Sequence, residues 1–462
     1  MNENPLDLLP EVCVLLGAVA GLVTGLFLRR DRQRVVAWIC GAALVAGLAA
    51  TLAASRDHDG MAFMAYRLDG PTNVARGVVL ASALIVLLLL TGWARGHRRE
   101  AEAYVLVMLA ALGSIALAGA DDLLVLVAAY LLASIPAYTL AGFAKDAPGA
   151  EAALKYYLMS AFLGVLMLAG VTLLYGLSGA TAYQAIGGGL DGAPAPAVGA
   201  AMVLLLAGPL FKAGSVPAHF WVPDVTEGAP PAVAAFVTTV PKIGAFVALV
   251  RLATEIFPGS SGAGWSTLVA ILATATMTLG NLAAFYQDKV RRLLAYSTIS
   301  QAGYLLVPLA VAGPTGLGRM AVLFYVAAYA VTNLGAFAVV VATGGESLGD
   351  YAGLARRAPW TALALIVCLL GLVGTPPAAV FAGKLLVFTA AWDGGYGWLA
   401  VVAVVNTVAS VFYYLRWILP VFRADSPAAA AKPLRGPAVV ACVVAAMSVV
   451  LGLAGGLVLA RL

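Results

Sequence analysis

Apolar residues form long runs along this chain, and polar residues fall between the runs instead of alternating within them. Segments such as ASALIVLLLL (81–90) lack the two-residue alternation that a strand of a membrane barrel requires. A run of about 17 or more apolar residues can cross a bilayer as a helix. Gly, Pro and charged residues divide the runs into about fourteen predicted helices, which cover residues 7–28, 35–54, 75–93, 103–119, 121–142, 153–175, 197–219, 229–251, 263–284, 290–311, 319–343, 360–391, 397–420 and 437–460.

The composition indicates the same class of protein. Of the 462 residues, 62% are hydrophobic and only 11% are charged, and the mean hydropathy is +0.97. So few charges could not cover the surface of a soluble globule of this size. We therefore predict an all-α integral membrane protein, a bundle of helices in the lipid bilayer.

Basic residues are concentrated in the loops that follow the odd-numbered predicted helices. These loops contain RRDRQR (29–34), WARGHRRE (93–100), QDKVRR (287–292), LARRAP (354–359) and the cluster Arg416, Arg423, Lys432 and Arg435. The positive-inside rule places this face in the cytoplasm, with both termini on the outer side of the inner (plasma) membrane. The topology accounts for the net charge of +5, so we predict no nucleic-acid partner.

The sequence contains no pattern typical of a metal or nucleotide site. Its four cysteines lie singly in apolar segments, where we interpret them as small lipid-facing or core residues: Cys13, Cys40, Cys368 and Cys442. The Gly-rich stretch AIGGGLDGAPAPAVG (185–199) follows no predicted strand and lacks the Lys and Ser/Thr pair of a phosphate-binding loop. We predict that this chain binds no metal ion and no cofactor.

Three lysines lie inside predicted helices 7, 8 and 12, and each has proline and glycine nearby: Lys212, Lys242 and Lys384. A lysine at the centre of a lipid-facing helix costs about 2.5–3.5 kcal/mol on insertion scales. Interrupted helices at membrane depth are tolerated where they are buried in protein or line a wet cavity, which is typical of transporters. The alternative is a lysine that extends to the headgroups, and this suits Lys155, near the start of helix 6, better than the other three.

Other polar residues near these lysines have two interpretations each. His219 is either a proton relay or a side chain that satisfies backbone groups freed by a broken helix. Asp224 and Glu227 form either a solvated interfacial turn or a functional or subunit contact. Asp121 and Asp122 are predicted to cap the start of helix 5.

The segment FKAGSVPAHFWVPDVTEGAPPAVAAFVTTVPKIGAFVALVRL (211–252) resembles the central signature of subunit N of NADH:quinone oxidoreductase, respiratory complex I, an antiporter-like membrane subunit family. Three further segments carry the same resemblance: EAALKYYLMSAF (151–162), KVRRLLAYSTISQAGYLL (289–306) and GTPPAAVFAGKLLVF (374–388). The likeness therefore covers nearly all the predicted helices.

The resemblance implies two inverted five-helix repeats, helices 4–8 and 9–13, with the fourth helix broken in each. The chain would then divide into three N-terminal helices (1–100), a first repeat (101–262), a second repeat (263–421) and a C-terminal helix (422–462). It also implies that Lys212 and Lys242 belong to an inner proton route, Lys384 to a terminal site, and Glu151 with Lys155 to proton uptake from the cytoplasm.

The function implied by the resemblance is proton translocation by a non-redox subunit of a complex I-like enzyme. NADH and quinone would be substrates of the whole complex, and the partners would be other membrane subunits, including homologous antiporter-like ones. Two alternatives remain open. The chain could belong to a multisubunit cation/proton antiporter or a membrane-bound hydrogenase, or it could be a structural subunit with an impaired first proton path.

The sequence departs from the family pattern in predicted helix 5. The family pattern is approximately G-L-E-L-x-S-L-P, and aligning Ser134 and Pro136 with it leaves Leu131 at the position of the glutamate that pairs with the helix 7 lysine. Lys212 then lacks an evident carboxylate partner, and we expect it to be neutral more often than its family counterparts. A glutamate introduced at position 131 is expected to lie within about 4–6 Å of this lysine.

Two smaller departures concern neighbouring segments. Gln301 occupies a position where the family commonly has histidine, and Thr226 one where tyrosine is usual. Two interpretations of these departures remain open: a divergent or auxiliary copy that is coupled to a different electron donor, or one that has lost one proton path.

Overall fold

The computed structural model of the chain describes residues 5–54, 60–257, 264–312, 316–423 and 432–456. Nearly all of these residues lie in α-helices joined by short turns. The first ten are α1 (Leu9–Phe27), α2 (Arg34–Ala54), α3 (Gly70–Ala94), α4 (Glu100–Gly119), α5 (Leu123–Leu132), α6 (Ile135–Ala141), α7 (Ala147–Ser178), α8 (Tyr183–Gly189), α9 (Ala195–Ala213) and α10 (Trp221–Gly228).

The remaining helices follow in the same pattern: α11 (Pro231–Arg251), α12 (Trp265–Ala284), α13 (Val290–Leu309), α14 (Gly316–Thr343), α15 (Leu354–Arg357), α16 (Pro359–Val373), α17 (Ala379–Asp393), α18 (Gly397–Val421) and α19 (Arg435–Leu453). A short antiparallel hairpin, β1 (Gly60–Ala62) with β2 (Tyr66–Leu68), connects α2 and α3 and pairs Gly60 with Leu68.

The predicted all-α membrane architecture is confirmed. Within the described ranges, 12 helical stretches are long and apolar enough to cross a membrane. Each predicted span overlaps a helix or an interrupted pair of helices. The proposed division into repeats stays a prediction, and its boundary at 262/263 lies outside the described residues.

The centre of the bundle is formed by α11, α13 and α14. Every residue of α11 from Ala232 to Arg251 is buried, whereas α1 and α19 have broad exposed apolar faces at the edges of the bundle. The central α13 carries buried Ser, Thr and Gln side chains among its apolar ones. Polar groups at this depth need partners from neighbouring helices, and the side chains of α13 find them on α12, α14, α16 and α18.

The two predicted helix breaks are present and are built alike. Helix α9 ends at Ala213 and α16 at Val373, and each is followed by a glycine in the left-handed region: Gly214, with φ of 67°, and Gly374, with φ of 92°. The next amide in each case bonds to the carbonyl five residues back, that of Leu210 or Leu370. This is the arrangement in which an αL glycine terminates a helix.

The boundaries of two predicted helices were wrong. Predicted helix 7 was extended to residue 219, but α9 stops at Ala213 and a second helix, α10, starts at Trp221 and runs to Gly228. Predicted helix 5 was continuous, but it is interrupted by a turn at Ala133 and Ser134. Pro136 has no N–H for the carbonyl four residues back, which accounts for the interruption.

Candidate functional site

Three lysine side chains lie in the interior of the bundle: Lys212, Lys242 and Lys384 are 0%, 1% and 2% exposed. None of them forms an ion pair with a carboxylate in the part of the chain that the structure describes. Each donates instead to a backbone carbonyl. The absence of a carboxylate beside Lys212, inferred from the sequence, is therefore confirmed for the described residues.

Lys212 lies in the last turn of α9, next to the break. Its Nζ donates to the carbonyl of Ala133 at 3.3 Å. The rest of its surroundings are aromatic, because four ring centres lie within 6.0 Å of Nζ: those of Tyr130, Tyr138, Tyr156 and Phe211. The aromatic residues come from α5, α6, α7 and α9, so four helical segments meet around this ammonium group.

Lys242 lies in the middle of α11. Its Nζ donates to the carbonyl of Thr298 at 2.8 Å and lies 5.7 Å from the ring centre of Tyr329. A Cβ atom on Gly214 would be 3.6 Å from Nζ of Lys242. The break that follows Lys212 therefore lies against the side chain of Lys242.

Lys384 lies in α17, beyond the second break. Its Nζ donates to the carbonyl of Val373 at 2.8 Å and to the hydroxyl of Thr407 at 3.2 Å. The ring centre of Tyr304 lies 4.1 Å from the same nitrogen. Val373 is the last residue of α16, so the interruption of the helix supplies the acceptor.

Polar residues lie on one side of α13 between its contacts with Lys242 and with Lys384. Thr298, Gln301 and Tyr304 recur every three residues and therefore lie along one side of the helix. The backbone carbonyl of Thr298 accepts from Lys242, and the ring of Tyr304 packs against Lys384.

Gln301 lies between these two residues on α13. Its side-chain amide donates to the carbonyl of Leu372 at 2.8 Å and accepts from the hydroxyl of Tyr325. The ring of Tyr325 stacks on that of Tyr304. Gln301 therefore lies between Thr298 and Tyr304 on this side of α13. Its amide cannot carry a net proton as a histidine can.

A cluster of charged residues joins α7, α10 and α13 at one end of the bundle. Lys155 pairs with Glu151 and with Asp224, both at 2.7 Å. Arg292 bonds to Asp224 at 3.1 Å and to Glu227 at 2.9 Å. The sequence-based choice of Glu151 and Lys155 as neighbours agrees with this arrangement.

Asp224 and Glu227 lie on the helix α10 and are paired, so the interpretation of these residues as a simple solvated turn was wrong. Partial burial alone would raise the pKa of Glu227, but hydrogen bonds from Lys289 and Arg292 outweigh it and hold this pKa below its usual value. This carboxylate is therefore kept charged by its two partners.

His219 lies in the turn between α9 and α10 and is 6% exposed. Its Nδ1 has no hydrogen-bond partner within the described residues, and its ring packs on that of Phe220 at 4.4 Å. The side chain also interacts with the backbone of Pro217 inside the break. Both interpretations of His219, as a proton relay and as a partner of backbone groups freed by the break, therefore stay predictions.

The expected geometry of position 131 was wrong. Leu131 is 49% exposed at the surface of the bundle, whereas the preceding residue, Tyr130, is 2% exposed and faces Lys212. Successive residues of a helix point about 100° apart, so only one of the two can face the bundle interior. A glutamate at 131 would point to the outer surface of the bundle, away from the lysine.

Sequence analysis missed two groups of buried polar residues. The first consists of the tyrosines around Lys212, which looked like ordinary members of apolar runs. The second consists of ion pairs near the other end of the bundle: Arg76 with Glu11 at 2.7 Å and Arg251 with Asp69 at 2.6 Å. The first pair is 65 residues apart in the chain and the second pair 182. No local sequence pattern could therefore pair them.

A family profile described as "NADH:quinone oxidoreductase/Mrp antiporter, TM" matches residues 120–410. The chain is 52% identical over 461 residues to NADH-quinone oxidoreductase subunit N 1 of Streptomyces griseus, covering 99% of this chain and 98% of that protein. The chain belongs to the subunit N family of NADH-quinone oxidoreductases. The resemblance inferred from residues 211–252 and the three supporting segments is thereby confirmed.

Solved structures agree with membership of the subunit N family. A chain of respiratory complex I from Thermus thermophilus with bound aureothin has a TM-score of 0.84 and 33% identity, covering 97% of this chain and 98% of that one. A chain of the Mrp complex from Dietzia sp. has a TM-score of 0.86 at 24% identity, covering 99% and 95%. At that identity the second match shows the shared fold alone, so the subunit N assignment depends on sequence.

Proposed function

We propose that the chain is a proton-translocating membrane subunit of a complex I-like NADH:quinone oxidoreductase. The observation that carries this proposal is that α13 contacts both buried lysines, Lys242 through the Thr298 carbonyl and Lys384 through the Tyr304 ring, with the polar Gln301 between these two positions on the same side of the helix. A buried basic group without a carboxylate partner is costly, so its presence supports a functional role.

Lysine is suited to this task because its charge state depends on its surroundings. Burial disfavours the ammonium form, and a nearby dipole, π face or water molecule favours it. A rearrangement worth about 1.4 kcal/mol changes the ratio of charged to neutral lysine tenfold. The acceptor of Lys212 is at the turn between α5 and α6, and that of Lys384 is at the end of α16. Small movements at these helix breaks are therefore enough to move a proton.

The charged cluster of Glu151, Lys155, Asp224, Glu227 and Arg292 is the proposed place of proton uptake. It lies in the loops and helix ends that carry excess basic residues, which supports the proposed cytoplasmic location of the cluster and the proposed outer location of both termini. Lys212 and Lys242 then form the inner route, and Lys384 the terminal site.

The chain is proposed to act without a redox centre of its own, in the inner (plasma) membrane. NADH and quinone are substrates of the whole complex, and electron transfer takes place in other subunits. Homologous antiporter-like subunits are the expected neighbours. The name of the Streptomyces relative and the match to a complex I chain support this assignment.

The test is the proton-to-electron ratio of the purified complex in closed vesicles. Lys384→Ala and Lys242→Ala should lower this ratio, or stall quinone reduction, while the complex still assembles. Lys432→Ala is the matched control, because Lys432 is exposed. A wild-type ratio in both buried-lysine variants would contradict the proposal.

The Mrp complex supports a second candidate, a subunit of a cation/proton antiporter, because the fold is shared. The two candidates differ in their partners. Purification of the chain with NADH-binding or quinone-binding subunits supports the oxidoreductase. Purification with antiporter subunits alone, together with sodium-dependent proton exchange, supports the alternative.

A further inference from the structure

The most unusual surroundings in the protein are those of Lys212. A buried ammonium group needs partners that compensate for the loss of water. Here the only polar partner among the described residues is the Ala133 carbonyl, at 3.3 Å, which is a long hydrogen bond. Something other than a carboxylate must therefore favour the charged form whenever Lys212 carries a proton.

The faces of aromatic rings provide such a partner. The Lys212 Nζ lies 5.1 Å from the ring centre of Tyr130, 5.7 Å from that of Tyr156 and 6.0 Å from that of Tyr138. A cation within about 6 Å of a ring centre is attracted by the quadrupole of the ring, and more strongly where water is excluded. Lys242 and Lys384, by contrast, each have one such ring.

Other contacts hold these rings in place. The Tyr130 hydroxyl donates to the carbonyl of Ser160 at 2.9 Å, and the Tyr138 hydroxyl donates to the hydroxyl of the same serine. The ring of Tyr156 stacks on that of Trp221 at 4.4 Å. The rings are therefore fixed around the position of Nζ, as preorganised stabilisation of a charge requires.

We propose that Tyr130, Tyr138 and Tyr156, together with the Ala133 carbonyl, form an aromatic cage that stabilises the ammonium form of Lys212 in place of a carboxylate. The cage consists of these three rings and that carbonyl. No acidic side chain faces Lys212 from α5, α6, α7 or α9 within the described residues, and the charged group that lies against Gly214 at the break is another cation, Lys242. The three tyrosines are positioning residues for the proton carrier.

The cage deepens the proposed function and rests on it for its role in transport. It also changes an expectation from the sequence. A lysine without any partner would be neutral more often than its family counterparts, whereas a caged lysine keeps a substantial charged population. Removal of Lys212 should then impair transport as Lys384→Ala does.

Tyr156 offers the sharpest test. Its hydroxyl has no hydrogen-bond partner among the described residues, so Tyr156→Phe removes no protein hydrogen bond, keeps a ring face beside Nζ and is the reference for the series that follows. Phe at this position can then be replaced by mono-, di- and trifluorophenylalanine. Fluorine withdraws electron density from the ring face and weakens cation attraction, with little change in volume.

Two quantities are measured on the whole complex in vesicles at one pH. The first is the ammonium fraction of Lys212, from the Nζ signal of ¹⁵N-lysine that disappears in Lys212→Arg. The second is the proton-to-electron ratio. The cage predicts that the ammonium fraction falls stepwise with each fluorine, by about fivefold or more in its ratio to the neutral form over the series, and that the proton yield falls with it.

The controls separate the cage from packing and from the proposed function. Tyr175→Leu removes an exposed tyrosine from the same helix, α7, and should leave both quantities unchanged. A constant ammonium fraction across the fluorine series overturns the cage, and a loss of transport in Lys384→Ala would still support the function. A falling ammonium fraction with unchanged proton yield supports the cage and overturns the route through Lys212.

Discussion

The surroundings of Lys212 and Lys384 show two ways to hold a lysine at a helix break. Both lie close to a glycine in the left-handed region, but Lys212 comes before its break and Lys384 after it. Lys384 has a carbonyl at 2.8 Å, a hydroxyl at 3.2 Å and one ring. Lys212 has several rings and one carbonyl at 3.3 Å.

The difference shows that the helix break and the partner of the lysine are separate features. The break supplies a place where irregular backbone can exist inside the bundle. The partner is a side chain that faces the lysine from a neighbouring helix. For Lys384 it is a polar side chain of α18, and for Lys212 the partners are aromatic side chains of α5, α6 and α7. Loss of a carboxylate at one site therefore need not remove its ability to hold a charge.

The largest effect is expected from carboxylates placed at adjacent positions of α5. Leu131→Glu should lower the yield of assembled complex, because a charged residue facing lipid costs about 2.5–3.5 kcal/mol. Tyr130→Glu places the carboxylate toward Lys212 and should assemble better. The measurement is the amount of intact complex after mild detergent extraction. Better assembly of Leu131→Glu than of Tyr130→Glu would contradict the assigned faces of the helix.

The next effect concerns the glycines of the two breaks. Gly214→Ala and Gly374→Ala should each destabilise the protein by about 1–2 kcal/mol, because a Cβ is unfavourable in the left-handed region. At Gly374 the new Cβ would also lie 2.8 Å from Cδ of Lys384, so transport should fall more in that variant. Thermal unfolding of the complex measures the first effect and the proton-to-electron ratio the second.

Gly176→Ala is the control for these two substitutions, because a Cβ there has no neighbour within 4 Å. This change should be neutral or slightly stabilising. If all three variants were equally stable, the left-handed conformation would not be required at Gly214 and Gly374.

A smaller effect is expected from the hydroxyl beside Lys384. Thr407→Val removes the acceptor at 3.2 Å and should reduce the transport rate by about threefold to tenfold, the size of one hydrogen bond to a charged or neutral partner. Thr407→Ser keeps the hydroxyl and should retain most of the rate. Equal rates in the Val and Ser variants would show that Lys384 does not depend on this contact.

The smallest effect is expected at the charged cluster and depends on pH. Because the pKa of Glu227 is held below its usual value of 4.5 in the folded protein, its ion pairs stabilise the fold above that pH. This stabilisation is lost as the pH falls through the lower folded value. Glu227→Gln should lower the thermal midpoint by about 1–2 °C at pH 7, with a smaller difference at pH 4.

Glu346→Gln is a suitable comparison for Glu227→Gln, since Glu346 is exposed. It should leave the midpoint unchanged at both pH values. A deficit of Glu227→Gln that grows toward pH 4 would reverse the expected sign.

Sequence analysis was most successful where a pattern is long and local. Hydropathy runs gave the class of protein, and proline and glycine near Lys212 and Lys384 gave both helix breaks. It failed at position 131, because family spacing alone did not show which side of α5 faces the interior. The pairing of Arg251 with Asp69 was also out of reach, since the two residues are 182 positions apart and meet only in the folded bundle.

The aromatic surroundings of Lys212 were equally inaccessible, for a different physical reason. Tyrosine in an apolar run fits both a lipid-facing surface and a packed core. Tyr175 and Tyr156 lie on the same helix, yet one is exposed and the other is buried against Lys212. Only the direction of each side chain in the assembled bundle separates the two.

The most direct test of the central claim is the proton-to-electron ratio of Lys212→Ala measured beside that of Lys384→Ala in the same reconstituted complex. If aromatic faces keep Lys212 in use as a proton carrier, both variants should show a comparable loss. A wild-type ratio in Lys212→Ala together with a strong loss in Lys384→Ala would contradict the claim, because Lys212 would then take no part in transport.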